Sequence, residues 1–459
     1  MQLPLPFLMI VLLGVTFEFA RRKKQSYDTF FFFNSWYVLG YGVIPLLYIA
    51  GGLQHRDYGR FPVSFASLEW NGWIALAAYA WYLFLVYTER DSFKATSVPA
   101  QPIDPILIHR LCWIGLAVSL ISLLLYAKSF GSLDQAIRAG AAHRYGIEKE
   151  QAGPTAVFKY GVNFSLVVMY YAFYARFLSA NALIAASRYT RLFLIACLIQ
   201  APYLLINSSR GGAITAIGGL FFILAITRKK RYYMLMCCVA FLAFGFVYFG
   251  KPLFTNFHHL AGGSFSEFWR NFWISFDQRY SRGNAGVKYS MMREGLHCIF
   301  SLATAERHAG NTVPHTFFAE YPRVVGQLVP QRFLGLGATA NDTISRLNTR
   351  LLTGRDVSST PPGILGAFYY AANAPGIIFA LTLYAMAGAK ISRVCEAWIQ
   401  VHPGAVAICV PIYLAYGEFV FRGDPKAAVY ANFSVIITVC VLVWLHMRQR
   451  SFGVKNVVT

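Results

Sequence analysis

Arginine residues are the side chains in this sequence whose type and placement best suit a specific chemistry. The segment from about Lys251 to Thr360 contains ten Arg but only two Lys. A guanidinium group is planar and presents a fixed fork of N–H donors, so it can hold a phosphate through two parallel hydrogen bonds, whereas a lysine offers a point charge. The excess of arginine over lysine in this segment therefore predicts phosphate binding.

Two further arginines, Arg210 and Arg422, lie in very short turns between long apolar runs. Arg210 would sit at the edge of a membrane, where a charge without a partner costs several kcal/mol. It either extends to the headgroup layer or binds an anionic lipid headgroup, and we favour the second interpretation. Arg422 either pairs with Glu418, four residues earlier on a helix, or binds a similar anionic group.

The remaining candidates are weaker individually. Four more arginines could contact phosphate: Arg138, Arg279, Arg282 and Arg323. A transfer reaction would also need a base, and an Asp or Glu could serve if it lies within reach of the reacting hydroxyl. The candidate catalytic carboxylates are Asp277, Glu320 and Asp424, although each could instead be a surface charge or an arginine partner.

No sequence spacing indicates a metal or another cofactor. CxxC and HExxH patterns do not occur, and the loops that carry the arginines contain no clear DxD signature. Zinc sites can usually be recognised in a sequence by such spacings. If the protein catalyses a transfer reaction, arginine rather than a divalent ion would stabilise a leaving pyrophosphate.

The elements that must position these residues are membrane-spanning helices. The chain has 459 residues, of which 56% are hydrophobic and only 13% are charged, which is too apolar for a soluble protein of this length. Runs of about 20 apolar residues match the thickness of a bilayer. We predict an all-α polytopic protein with about eleven spans, at 3–20, 29–51, 68–88, 109–127, 157–179, 191–208, 211–227, 233–250, 362–389, 404–421 and 427–447.

Basic residues in the short loops predict the orientation. Clusters such as Arg21–Lys24 and Arg228–Arg231 all fall on one side if the N-terminus is outside and the C-terminus is cytoplasmic. Two long loops then lie outside, at about 128–159 and 251–360. The predicted organisation is a first bundle (1–250), a large outer loop (251–360) and a final bundle with a cytoplasmic tail (361–459).

The large outer loop contains an amphipathic helix. Ser264 and Glu267 fit a capping box, and aromatic residues from Phe265 to Tyr280 recur at helical spacing. Such a helix either lies in the membrane interface or packs on the core of its own loop. In both cases Arg279 and Arg282 follow near the headgroup level, so the sequence predicts a protein that handles lipid-linked phosphates.

An ordered series of short motifs resembles a known family. The motifs are the Phe-rich segment Phe17–Phe33, the loop ending at Arg138, Ser209-Arg210-Gly211, Asp277–Met292, Tyr321-Pro322-Arg323 to Pro330, the junction Ser359–Gly376, and Phe421-Arg422-Gly423. In order, spacing and sidedness they resemble the Wzy-type polymerases of bacterial oligosaccharide repeat units, including the enterobacterial common antigen branch.

The resemblance implies a GT-C-like glycosyltransferase of the bacterial inner membrane that works on the periplasmic face without a metal. It would transfer a growing glycan from undecaprenyl pyrophosphate to a new lipid-linked repeat unit, with inversion. Its partners would be the lipid-linked donor and acceptor, and a Wzz-type chain-length regulator and a flippase, with no nucleic acid. Two alternatives stay open: an O-antigen ligase-type enzyme, and a transporter or flippase of lipid-linked sugars.

Overall fold

A computed structural model describes most of the chain. The described residues are 4–22, 27–51, 64–92, 105–137, 139, 158–179, 186–207, 210–228, 245, 249–250, 252–253, 256–257, 259, 264–280, 284–322, 343–354 and 360–455. Within the helices, the side chains of residues 22, 89–92, 105, 186, 210, 279–280, 284–294 and 446–455 lie outside this description.

The described part of the chain is built from helices. These are α1 (Leu5–Arg22), α2 (Thr29–Ala50), α3 (Phe65–Ser92), α4 (Pro105–Lys128), α5 (Phe164–Phe177), α6 (Ala186–Ile206), α7 (Arg210–Arg228), α8 (Phe265–Tyr280), α9 (Asn284–His308), α10 (Ile344–Thr353), α11 (Gly363–Val401), α12 (Val406–Arg422), α13 (Pro425–Ala431) and α14 (Phe433–Lys455). Within α2, residues Val38–Val43 form a π-helical segment. The described residues contain no strand, and their only β pairing is an isolated bridge between Ala309 and Val313.

Six of the described helices are long and apolar enough to cross a membrane. They are Thr29–Ala50, Ile106–Lys128, Ser187–Ile206, Gly211–Arg228, Gly363–Val401 and Pro403–Arg422. A seventh is added if α13 and the first part of α14, which meet at a bend of 67°, count as one span. The protein is thus an all-α, membrane-embedded chain, as the composition predicts.

Helices also occupy the other predicted spans, with one exception. α1 and α3 cover the spans predicted at 3–20 and 68–88, and α5 lies within 157–179. The span predicted at 233–250 falls almost entirely outside the described residues. The total of eleven spans, the GT-C arrangement and the orientation stay predictions.

The chain divides into two compact units, each assembled from separated segments. The first comprises Met1–Ala95, Asp277–Ser392 and Tyr413–Tyr430, and the second comprises Thr96–Phe276, Arg393–Ile412 and Ala431–Thr459. The segment predicted as one outer loop, 251–360, contributes to both units.

The core of the first unit includes a helix from that predicted loop. In α9 the apolar side chains Leu296, Ile299 and Phe300 recur at helical spacing and are almost completely buried. α9 packs against α2, α3 and α10. The second half of α9 is therefore part of the hydrophobic core and not a surface cap.

An ionic cluster joins α1 to α2 in the same unit. Arg21 Nη1 donates to Asp28 Oδ2 at 2.6 Å, and Arg21 Nη2 donates to Glu18 Oε1 at 3.2 Å. Asp28 also caps α2, because its Oδ1 accepts a hydrogen bond from the backbone N–H of Phe31 at 2.9 Å. All three charged residues are buried, so the cluster fixes the turn between the two helices.

In the second unit, α5 is the central helix. It packs against α4, α6, α7 and α14. Polar contacts hold the helices together: Gln200 Nε2 donates to Ser165 Oγ at 2.9 Å, and the Tyr170 hydroxyl donates to the carbonyl of Thr215 at 2.6 Å. Such interhelical hydrogen bonds are typical of packing within membranes.

Candidate functional site

The turn after α12 meets the start of α11 at two glycines. Gly423 has φ of +58° and Gly363 has φ of +68°, a backbone region that favours residues without a side chain. A methyl group at Gly423 would overlap the carbonyl of Gly363. Two sequence motifs that lie far apart in the chain, Ser359–Gly376 and Phe421–Gly423, are thus in direct contact.

Asp424 anchors this turn. Its carboxylate is buried, with only 3% of the residue exposed. Oδ1 accepts hydrogen bonds from the backbone N–H groups of Lys426 at 2.9 Å and Ala427 at 3.2 Å, and Oδ2 accepts one from the hydroxyl of Ser345. Asp424 therefore caps α13 and ties α10 to the turn.

Cationic side chains surround the same turn. Lys426 lies close enough to Asp424 and to Arg346 for their charges to interact, and Arg346 is exposed on α10. Arg422 Nη2 donates to Glu418 Oε1 at 2.6 Å, so the i,i+4 ion pair, one of the two alternatives for Arg422, is formed. About a third of each of these two side chains is still exposed, at 33% and 30%. Arg346, Arg422 and Lys426 could consequently contact an anion.

A loop from the predicted outer segment approaches the turn as well. The phenol of Tyr321 lies near the carboxylates of Glu320 and Asp424. Burial, followed by these two negative charges, holds the pKa of Tyr321 above its ordinary value. The hydroxyl of Tyr321 is therefore a hydrogen-bond donor at any physiological pH, and Glu320 is a half-buried carboxylate beside it.

α10 supplies a buried polar face behind this site. Asn348 Nδ2 donates to Ser301 Oγ at 2.8 Å and to the carbonyl of Thr360 at 3.1 Å. The backbone N–H of Thr360 donates in turn to Thr349 Oγ1 at 2.5 Å. These bonds fix the segment that leads into Gly363 and α11.

α11 is broken near its N-terminal end. Ala372 (φ −163°, ψ 39°) and Asn373 (φ 55°, ψ −146°) are not helical, and Pro375 follows. The carbonyls of Tyr370 and Ala371 accept hydrogen bonds from the backbone N–H groups of Thr316 and Phe317, each at 3.1 Å. Proline at 375 cannot donate to the carbonyl four residues earlier, so the loop replaces the missing donor at Ala371.

The structure brings together some of the residues predicted from the sequence. Arg422 and Asp424 share one turn, with Glu320 in the nearby loop. Asp277 is exposed near the end of α8. Arg210 begins α7 and Arg279 lies in the last turn of α8, but their side chains are outside the described residues, as are Arg138, Arg282 and Arg323.

The aromatic helix packs through one of its faces, and its predicted place in the membrane interface stays a prediction. The Ser264 hydroxyl accepts a hydrogen bond from the N–H of Glu267 at 3.3 Å, which confirms the predicted start of α8. Phe268 and Phe272 are buried, while Phe265, Trp269 and Trp273 are exposed. One half of the aromatic stripe therefore packs on its own unit, and the other half faces outward.

Sequence reasoning missed Ser345, Arg346, Asn348 and Lys426. A signal for α10 was available, because Thr343 caps its first turn and Gly354 ends it in the left-handed conformation. No comparable signal marks Lys426, whose position depends on the fold of the turn.

Possible metal ligands do not gather at this site. Among the described residues, no group of three or more His, Cys, Asp and Glu side chains could hold a metal ion. Comparison of the chain with family models, with curated proteins and with solved structures gives no match.

Proposed function

We propose that this protein is a membrane glycosyltransferase that polymerises oligosaccharide repeat units carried on undecaprenyl pyrophosphate. The observation that carries the proposal is the contact between the Arg422–Asp424 turn and the Gly363 junction, with Arg346 and Lys426 beside it. These are two of the motifs that resemble Wzy-type polymerases. Their meeting at a cationic turn supports a common role for them in holding a pyrophosphate.

The reaction would be a direct displacement at the anomeric carbon of the donor glycan. A hydroxyl of the acceptor unit attacks that carbon and forms a new C–O bond, while the bond from the carbon to the pyrophosphate oxygen breaks. The hydroxyl proton passes to a carboxylate, and undecaprenyl pyrophosphate leaves with the bonding electrons. Attack from the opposite face inverts the configuration.

The side chains near the turn divide these tasks. Arg346, Arg422 and Lys426 contact the phosphates and stabilise the charge that develops on the leaving group. Arg138, Arg210, Arg279, Arg282 and Arg323 are further proposed phosphate contacts. Asp424 acts as a positioning residue, because both of its oxygens already accept hydrogen bonds.

Glu320 is the better placed of the candidate bases in this region. It is half-buried and lies beside the protonated phenol of Tyr321. A carboxylate in such a setting can accept a proton from a hydroxyl if the acceptor lies within hydrogen-bond reach. Asp277 stays a second candidate.

The direct test uses purified protein in lipid nanodiscs with undecaprenyl-pyrophosphate-linked repeat units extracted from the host. Mass spectrometry of the products should detect lipid-linked dimers and longer oligomers of the unit. R346A and R422A should reduce their yield strongly. Arg188 is exposed near the start of α6, far from this turn in sequence, so R188A serves as a matched control that should retain full activity.

A wild-type protein that lengthens none of the native lipid-linked units would refute the proposal. Transfer of the glycan to a lipid A core in the same assay, without lengthening, would instead indicate the ligase-type enzyme. Net movement of intact lipid-linked units across a vesicle membrane would indicate a transporter.

A further inference from the structure

The break in α11 meets a loop that carries unusual polar side chains. Asn373, at the break, places its Nδ2 3.5 Å from the Nε2 of His315. Next to them, Thr316 donates its backbone N–H to the carbonyl of Tyr370 at 3.1 Å. The loop and the broken helix are therefore held in contact through backbone hydrogen bonds and through the pair of Asn373 and His315 side chains. The other polar atoms of these side chains take no part in that contact.

Each of these three side chains has a polar atom that is buried but unpaired among the described residues. The atoms are Asn373 Oδ1, His315 Nδ1 and Thr316 Oγ1. Buried polar atoms in folded proteins are nearly always paired, and individual exceptions call for an explanation. Because His315, Thr316 and Asn373 are each only partly buried as residues, a rotation of their side chains would bring the three unpaired atoms to a ligand at this place.

An aromatic ring stands beside these atoms on a constrained backbone. Phe317 and Phe318 both have positive φ, at 46° and 61°, a conformation that costs energy for residues other than glycine. Phe318 points inward onto the rings of Phe368 and Phe379, while Phe317 is 73% exposed with its ring centroid 5.7 Å from that of His315. The strained backbone thus holds one phenyl ring outward next to the polar atoms.

The chemistry of this place suits a sugar better than a phosphate. An amide oxygen accepts hydrogen bonds, whereas a threonine hydroxyl and an imidazole nitrogen can donate or accept. Sugar hydroxyls also donate and accept, so they match this set, while a phosphate would require the cations found at the Arg422 turn. The face of an exposed phenyl ring can cover the apolar C–H face of a pyranose.

We propose that Asn373, His315, Thr316 and Phe317 form a binding site for a pyranose ring of the oligosaccharide. The inference rests on the proposed function for the identity of its ligand and adds to it a separate saccharide subsite. Phe317 is the stacking surface, and the three polar side chains bind the hydroxyl groups at the edge of the ring.

A continuous series of hydrogen bonds connects this subsite with the Arg422 turn. It runs from Ser345 to Asp424, from Thr349 to the Ser345 carbonyl, from Thr360 to Thr349, from Asn348 to the Thr360 carbonyl, and from Tyr370 to Asn348. The last residue, Tyr370, also accepts the backbone hydrogen bond from Thr316. The proposed saccharide and pyrophosphate subsites are therefore linked through one hydrogen-bonded network.

The test compares two probes that separate sugar from phosphate. The first is the free repeat-unit oligosaccharide, released from the host lipid intermediates by mild acid. The second is undecaprenyl pyrophosphate without sugar. Saturation-transfer NMR measures saccharide binding to protein in nanodiscs, and native mass spectrometry measures retention of the lipid.

Three variants test the subsite. N373G removes the amide and keeps a residue that accepts positive φ, F317A removes the ring, and T316V removes the hydroxyl at constant shape. Loss of one hydrogen bond should weaken saccharide binding roughly 3- to 10-fold, with little change in lipid retention. Phe19, which is 71% exposed on α1 of the same unit, provides the control F19A, which should bind both probes like the wild type.

The outcomes distinguish this inference from the proposed function. If the wild type gives no saccharide signal, or if N373G and F317A bind the saccharide normally, the subsite is refuted even where the lipid binds. If the saccharide binds through these residues but undecaprenyl pyrophosphate does not bind, the subsite stands and the polymerase proposal fails.

Discussion

The Arg422 turn and the break in α11 treat their polar groups in opposite ways. At the turn, the carboxylate of Asp424 accepts three hydrogen bonds from within the protein. At the break, three buried polar atoms of Asn373, His315 and Thr316 are unpaired among the described residues. The contrast separates a polar group that builds a site from polar groups that serve a ligand.

The Arg422 turn and the break in α11 also differ in the charge of their side chains. The turn carries Arg346, Arg422 and Lys426 and suits an anion, whereas the break is lined by an amide, an imidazole and a hydroxyl and suits a neutral polyol. The proposed polymerase would have to hold both a pyrophosphate and a sugar, and two segments with different chemistry would serve these two needs.

The largest effect is expected from R346A. Arg346 is exposed and makes no described hydrogen bond through its side chain, so the substitution should leave the melting temperature in detergent unchanged. If the guanidinium contacts the leaving pyrophosphate, the variant should lose roughly 2–4 kcal/mol of transition-state stabilisation. That corresponds to a rate about 30- to 1,000-fold lower, measured as initial polymerisation rate.

R346K refines this test. A lysine keeps the charge but lacks the bidentate fork, so it should restore the rate only in part. Wild-type rates in R346A would remove Arg346 from the site and weaken the assignment of the turn to phosphate.

D424A should mainly affect stability. Removing the carboxylate deletes the cap of α13 and the bond to Ser345, at a combined cost of about 2–3 kcal/mol. Thermal unfolding in detergent should report the loss, and D424N should retain more stability because it keeps an oxygen for the cap. A D424A protein that melts like the wild type yet is inactive would make Asp424 a base instead of a positioning residue.

S345A should produce a smaller change of the same kind. The hydroxyl of Ser345 is buried and donates to Asp424, and a hydrogen bond to a charged group contributes about 1.5–3 kcal/mol at most. The two bonds to Oδ1 persist in this variant, but Oδ2 loses the hydrogen bond from Ser345, so we expect a loss of about 1.5 kcal/mol, at the lower end of that range. Equal melting temperatures for S345A and D424A would show that the bond between α10 and the turn carries most of the stability.

N373G should have the smallest effect on stability, and with the opposite sign. Glycine adopts positive φ without strain, so the substitution removes the backbone strain of Asn373 in the folded state. This gain should outweigh the extra backbone entropy that glycine has in the unfolded chain, and the fold should become more stable by at most about 0.5–1 kcal/mol. A variant that is more stable but binds saccharide less well would sharpen the contrast with Asp424. A clear loss of stability would show that the Asn373 side chain supports the fold.

Much of the architecture follows from local sequence. The apolar runs locate six or seven candidate spans among the described residues, Ser264 locates the start of α8, and the spacing of Glu418 and Arg422 allows their ion pair. These features depend on residues within a few turns of one another. Periodicity and capping are sufficient to predict such features.

The missed features depend on contacts between distant segments. The break in α11 falls inside the predicted span 362–389, and Pro375 is the one local signal for it. The carbonyls at the break are paired by the backbone N–H groups of Thr316 and Phe317, which come from a distant loop. Lys426 joins the site because Asp424 caps the helix that carries it. Neither relation can be derived from spacing alone.

The ionic cluster at Arg21 has a consequence for how the chain enters the membrane. When synthesis has reached Lys24 but not Asp28, Arg21 and the three basic residues after it outnumber Glu18 and form a net positive segment that can direct insertion. Once Asp28 has been added, it joins Glu18 in neutralising Arg21 in the folded hairpin. One arginine can thus act first as a topological signal and afterwards as a structural clasp, with synthesis of Asp28 separating the two roles in time.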